Sequence, residues 1–360
     1  MRRAGFAIAL LITLPLSAVA QSGRTTGYSE SSSSSTRAAT PSQTTSTGRR
    51  GDEVKIDGEL VRVATDLVTI PVRVATRDGK PVKNLLQREF SIFENGELQP
   101  IAYFSSDDQP FTVALVLDMS YSTVFKLEEI KTAARIFILK LRPLDKVTVI
   151  SFDEKPHVLC EPTSDRRVLQ LAIAGARLGS GTALFDTLHS AVEEKLAPVT
   201  GRRAVVLLTD GVDTSSMTSD GRTIERRFSA GDTIVYTLQY NTFEDVKKNR
   251  EKNAEVRFDN NDRPYVVQRS PEKGEREIDY QNASAFLATL SEESGGRVYR
   301  VSSTTNLNEA FTDIANELRK IYSLGYYPNE DRNPGKIYDI KVRVYRPNLK
   351  ITARNHYLSK

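Results

Sequence analysis

From Phe111 onward the chain alternates short, continuous apolar runs with longer one-sided amphipathic stretches, and that alternation leaves few folds open. The runs fall at residues 112–117, 146–152, 204–209, 233–238 and 297–301. Most are apolar at successive positions, not at every second one, the pattern of a strand covered on both faces. Between them, Leu127, Ile130, Ala134, Phe137 and Leu141 recur at steps of three and four, as do Leu184, Leu188 and Ala191, and later Leu307, Phe311, Ile314, Leu318 and Ile321. Each set makes one apolar helix face. The spacing predicts an α/β fold, a doubly wound and mostly parallel sheet. The run His157 to Cys160, close behind the strand ending near Phe152, predicts an antiparallel edge hairpin.

Open sheets of this kind hold their ligands beyond the carboxyl ends of the strands. Asp118-Met119-Ser120-Tyr121-Ser122 closes the first apolar run and places oxygen side chains at i, i+2 and i+4, on one side of an extended chain. Thr182 follows in a Gly179-Ser180-Gly181-Thr182 loop just before a helical pattern. Asp210 ends the run at 204–209 and precedes Gly211. Taken singly, Asp118, Ser120, Ser122 and Thr182 read more readily as helix caps or turn residues. Taken together, three loops bring two carboxylates and three hydroxyls, oxygen ligands suited to a hard cation such as magnesium or manganese. Asp186 and Asp213 lie near this set, either as outer groups of the site or as solvated residues.

The five residues Asp118, Ser120, Ser122, Thr182 and Asp210 resemble the metal-ion-dependent adhesion site of the von Willebrand factor type A family, and the resemblance runs from about residue 111 to 322. It implies that the serines and the threonine bind Mg2+ or Mn2+ directly or nearly so, with the aspartates acting partly through water. Neutral hydroxyl ligands would leave the ion electrophilic at an open position. The resemblance therefore implies a partner protein that offers an Asp or Glu carboxylate, and an adhesion or protein-binding role. The alternative expectation is a structural module of an envelope assembly in which the metal is incidental or stabilising.

Residues 1–20 have the form of a signal peptide: Met1-Arg2-Arg3, an apolar run from Phe6 to Leu16, and Ala18-Val19-Ala20. An exported protein is expected, periplasmic, secreted or at the cell surface, with no membrane span after cleavage. Residues 21–52 are a Ser/Thr-rich tether. Residues 53–108 alternate short strands with turns at Asp78-Gly79 and Asn95-Gly96, which predicts a small all-β domain. Residues 109–322 form the α/β domain. Within it, about 243–280 is a charged, apolar-poor insertion, either solvated or a partner-binding excursion, ahead of a helix starting near Asn282. Residues 323–360 are a C-terminal β extension, with 340–344 and 349–353 as a β-hairpin around Pro347-Asn348. The two β-rich flanks are expected to pack together into one small sandwich.

Several function classes find no support. The formal charge is +4, falling to +2 without Arg2 and Arg3, which is no footprint for nucleic acid. Cys160 is the only cysteine, so neither an intrachain disulfide nor a cysteine zinc site is available. His157, His189 and His356 fall in an edge strand, mid-helix and near the C-terminus, and neither a nucleophile elbow nor a phosphate loop occurs. A non-enzymatic protein is expected. The absence of tryptophan also argues against sugar stacking.

Overall fold

The computed structural model describes residues 53–56, 59–62, 67–106, 109–260, 263–267, 269–328 and 333–359; the expected signal peptide and tether lie outside them. β1 (Glu53–Ile56) and β2 (Glu59–Arg62) form an antiparallel pair in a sheet of their own. β3 (Val68–Thr76), β4 (Phe90–Glu94), β5 (Glu97–Gln99) and β6 (Tyr103–Ser105) follow. The α/β part opens with β7 (Phe111–Asp118), α1 (Leu127–Lys140), β8 (Lys146–Phe152), β9 (Pro156–Thr163), α2 (Arg166–Gly175) and α3 (Leu184–Ser190). It continues through β10 (Arg202–Thr209), α4 (Gly221–Ala230), β11 (Thr233–Gln239) and α5 (Phe243–Lys252). The hairpin β12 (Glu255–Phe258) and β13 (Pro264–Val267) leads to α6 (Glu277–Glu293), β14 (Arg297–Arg300) and α7 (Thr304–Leu318). β15 (Tyr322–Tyr326), β16 (Ile337–Val344), β17 (Leu349–Ala353) and β18 (His356–Leu358) complete the order.

The main sheet runs β14-β11-β10-β7-β8-β9, parallel throughout except for the expected antiparallel edge, β9 against β8. All of β7 is buried, which explains its unbroken apolar run. Successive side chains feed two different cores. Val113, Leu115 and Leu117 join Phe137 of α1 and Phe311 of α7, whose rings lie 5.1 Å apart. Ala114 and Val116 join Leu184, Ile224 and Leu287 of α3, α4 and α6 on the opposite face. Because β8 lies on one side of β7 and β10 on the other, connections diverge at β7 and open a crevice beyond its carboxyl end.

Two helices of this layer have no counterpart among the sequence expectations. α2 buries only Leu169, Ala172 and Ile173, and the buried face of α4 carries only two large apolar residues, Ile224 and Phe228. Such short faces make weak periodic signals. The charged insertion also has structure of its own, α5 and the β12–β13 hairpin. α6 then begins at Glu277, ahead of Asn282, because the Asp279 carboxylate accepts from Gly274 N (2.9 Å) and Arg276 N (3.3 Å) and secures the first turn.

The two β-rich flanks pack together, as expected. One antiparallel sheet runs β17-β3-β15-β6 and the other β18-β16-β4-β5, so each sheet takes strands from both ends of the described chain. Ile70, Val72, Tyr322 and Leu324 of the first meet Phe90, Ile92 and Ile340 of the second in a shared core. β16 and β17 are both present, but the turn at Asn348 (φ 62°) carries the chain from one sheet to the other, since β16 pairs with β4 and β17 with β3. Tyr322, the expected end of the α/β part, starts β15, the strand seated between β3 and β6. Two arginines fasten the sandwich to the α/β part. Arg354 donates to Ala230 O (2.6 Å) and Thr69 O (2.7 Å), and Arg73 reaches Glu317 of α7 at 3.2 Å.

Leu324 is fully buried in a strand on which both flanks depend. Leu324→Ala is expected to cost roughly 2–5 kcal/mol in urea unfolding. The same change at Leu171, an exposed leucine of α2, is expected to stay within about 0.5 kcal/mol. Equal losses at the two positions would contradict this account of the core.

Candidate metal centre

β7 stops at Asp118, where the chain turns out of the sheet. Met119 N still donates to Phe152 O (2.8 Å), but Ser120 N turns back onto Asp118 Oδ1 (3.0 Å). Thr123 then bonds Ser120 O through both its amide (3.0 Å) and its hydroxyl (2.7 Å), starting the 3-10 turn Tyr121–Lys126. Ser120 occupies the cap position of that turn, yet its side chain caps nothing. Its hydroxyl meets Ser122 Oγ at 3.0 Å instead, and Ser122 Oγ donates to Asp210 Oδ2 at 2.8 Å. The first and third predicted loops are thereby joined side chain to side chain.

Backbone bonds bring in the second loop. Gly179 N donates to Met119 O (2.9 Å) and Ala183 N to Asp153 O (2.6 Å). Thr214 N and Ser215 N both donate to Thr182 O (2.9 and 3.0 Å), while Thr182 N donates to Ser215 Oγ (3.2 Å). Two glycines make these turns feasible. Gly181 has φ 74° and Gly211 φ 86°, and a Cβ at either would run into a neighbour, Ser215 or Leu287 respectively.

The two carboxyl groups sit in a dry place. Asp118 is 0% and Asp210 1% exposed. Asp118 Oδ2 accepts from Thr209 Oγ1 (2.6 Å). Asp210 Oδ1 accepts from Val212 N (3.1 Å), and its Oδ2 from Thr242 Oγ1 (2.6 Å), which also meets Tyr280 OH (3.1 Å). Burial, and then the neighbouring Asp210, push the Asp118 carboxyl up to about 7. Burial pushes Asp210 upward too, against the opposing bonds from Thr242, Val212 and Ser122. Two such groups do not both ionise readily unless a positive charge lies between them.

Ser120, Ser122, Thr182 and Asp210 open onto one cavity of about 850 Å³, with Asp118 behind them. The donor set fits a hard cation. Among the described residues no three His, Cys, Asp or Glu side chains cluster, so a metal here would be held by hydroxyls as well as acids. Sequence reasoning missed Thr209, Thr242 and Tyr280. Thr242 lies just past β11, the next parallel strand, and a survey of every strand's carboxyl end would have found it.

Asp186 and Asp213 have defined work. Asp186 accepts from Met217 N (2.9 Å), Thr218 N (3.1 Å), Thr218 Oγ1 (2.7 Å) and Ser219 N (2.7 Å). Burial opposes its charge, but these bonds outweigh burial and hold the carboxyl below its usual range. Asp213 accepts from Leu184 N (3.0 Å) and Ser216 Oγ. Together they clamp the 210–219 loop to α3. The three histidines lie in β9, α3 and β18.

Residues 113–213, which include all five predicted ligands, match the family model described as the von Willebrand factor type A domain. The α/β part has the von Willebrand factor type A fold. Among solved structures, BatB from Bacteroides thetaiotaomicron is 19% identical at a TM-score of 0.40, covering 58% of this chain and 97% of its own. A von Willebrand factor type A protein from Catenulispora acidiphila is 14% identical at a TM-score of 0.41, covering 82% and 74%. Proximal thread matrix protein 1 from the mussel byssus, described with a zinc-occupied adhesion-site motif, is 13% identical at a TM-score of 0.43, covering 62% and 49%. No curated protein matches the chain.

The raised Asp118 carboxyl gives stability a definite pH sign. The folded group keeps its proton to about 7, against an ordinary value of 3.8, so its contribution is full below about pH 4 and is lost as pH rises through about 7. In chelator, urea unfolding is expected to show lower stability at pH 8 than at pH 5, and Asp118→Asn to flatten that fall. An unchanged fall in the variant would place the titration on another group.

Proposed function

We propose that this is an exported protein-recognition module, not an enzyme, and that it engages its partner through a divalent cation, magnesium or manganese. One observation carries the reading: the loops at the carboxyl ends of the adjacent strands β7 and β10, together with the loop ahead of α3, bring three hydroxyls and the Asp210 carboxylate to one cavity, with the buried Asp118 carboxylate directly behind. Ser120, Ser122, Thr182 and Asp210 would hold the ion from the cavity wall, with Asp118 behind. Bound there, the ion supplies an electrophilic position for a carboxylate oxygen of the partner. Thr209 and Thr242 orient the two aspartates by donating to them. Among the described residues no helix is long and apolar enough to cross a membrane.

A ligand that binds only the folded state stabilises it by mass action, by about 2.7 kcal/mol at roughly a hundred times the dissociation constant. Thermal scans are expected to show an upward shift with magnesium or manganese that Asp118→Asn removes. An undiminished shift in that variant would mean that the ion binds elsewhere.

The partner complex gives the second test. Thr182→Ala and chelator are each expected to weaken it at least tenfold, with little change in the metal-free melting temperature, because the hydroxyl borders the cavity and the loop is held through the backbone N and O of Thr182. A complex equally tight in magnesium, in chelator and with Thr182→Ala would favour the structural module with an incidental metal.

A further inference from the structure

The charged insertion does not project away from the candidate metal centre; it builds the far wall of the same cavity. Arg250 on the last turn of α5, Arg257 on β12, and Arg269 and Lys273 beyond β13 all line the space onto which Ser122 and Thr182 open. Two of these cations have acids of their own. Arg269 pairs with Glu272 and Glu275, at 2.7 Å each, and Lys273 lies 3.7 Å from Asp213 Oδ2.

Arg250 is different. It is half-buried, and its Nη1 is enclosed with no hydrogen-bond partner among the described residues. Glu275 is close enough to feel its charge, but both oxygens of that carboxylate are engaged, by Arg269 (2.7 Å) and by Glu272 N (3.0 Å). A buried guanidinium N–H without an acceptor is costly, and the cost is relieved when a bound group supplies the acceptor. The matching group is a carboxylate, whose two oxygens fit the planar fork.

We propose that the cavity receives an acidic peptide segment carrying two carboxylates, one directed to the metal end and the second taken by Arg250. This rests on the metal-dependent reading above and names the partner's chemistry: an Asp or Glu followed at short range by another acid. The insertion is then the part of this chain that selects among acidic partners, since a lone carboxylate satisfies only the metal end.

The test uses the full chain and labelled Gly/Ser peptides that carry either one Asp or one Asp with a Glu at a range of spacings. Binding is read by fluorescence anisotropy in magnesium and in EDTA. The best two-acid peptide is expected to bind about tenfold tighter than the one-acid peptide in magnesium. Arg250→Gln is expected to erase that gain while leaving the magnesium-dependent binding of the one-acid peptide in place. Arg250→Lys, which keeps the charge and loses the fork, is expected to retain part of it and serves if the glutamine variant folds poorly. Equal affinity of one-acid and two-acid peptides, or a gain that survives Arg250→Gln, overturns the second-carboxylate claim and leaves the metal reading standing. Peptide binding indifferent to EDTA and to Thr182→Ala, or no binding at all in magnesium, overturns the metal reading and this inference with it.

Discussion

Two carboxylates held out of water at the ends of adjacent parallel strands are the constraint around which the α/β part is arranged. The β7–β10 register pairs Leu117 with Leu208, which brings Asp118 beside Thr209 and leaves Asp210 just past the strand end. A carboxylate pair in that position is unfavourable by itself, because burial and mutual repulsion act together. The surrounding sequence answers with donors: Ser120 N and Thr209 Oγ1 to Asp118, and Ser122 Oγ, Val212 N and Thr242 Oγ1 to Asp210. These are neutral dipoles, which moderate the charge without cancelling it. Among the described residues no lysine or arginine donates to either carboxylate. That omission separates the site from an internal salt bridge, where a buried cation of the chain would have closed the position.

The sandwich is tied to the helix layer of the α/β part. α7 runs almost directly into β15, so the end of the last helix is tied to the strand between β3 and β6. Glu317, nearly buried near the end of α7, is gripped from two sides, by Arg73 of β3 and by Arg297 of β14. Any rearrangement of the α/β part that displaced α7 along the sheet would have to break the Arg73 contact or carry the sandwich along. The β flanks are therefore mechanically coupled to the helix layer.

Much of this architecture was legible because burial on both sheet faces writes itself into the sequence as unbroken apolar runs, as in β7, β8 and β10. That Ser120, Ser122 and Asp210 come together was legible for a related reason, since a strand end fixes where the next few side chains can point. What escaped notice lacks that imprint. β15 is buried at all five positions, yet it contains Ser323 and Gly325 and follows a helical pattern without a break. Threonines such as Thr209 and Thr242 suit a strand or its end on conformational grounds alone, and only the packed structure shows their hydroxyls facing carboxylates. The split of β16 and β17 between two sheets was hidden as well. A turn at an asparagine with positive φ serves a hairpin or a crossover equally.

Composition was least informative about the insertion, where interleaved charges suggested a solvated face. A wall with Arg250, Arg257, Arg269 and Lys273 on one cavity would repel itself if it stood alone. Glu272 and Glu275 sit among these residues and Asp213 touches Lys273, so the repulsion is moderated locally and the wall can hold its shape. Interleaving thus does structural work that composition cannot distinguish from solvation. It also limits the range of the field, because paired charges seen from a distance largely cancel. What remains is short-range and directional, centred on Arg250, whose Nη1 has no acceptor among the described residues. A cavity with that character discriminates by where an acid sits along an incoming segment more than by its total charge.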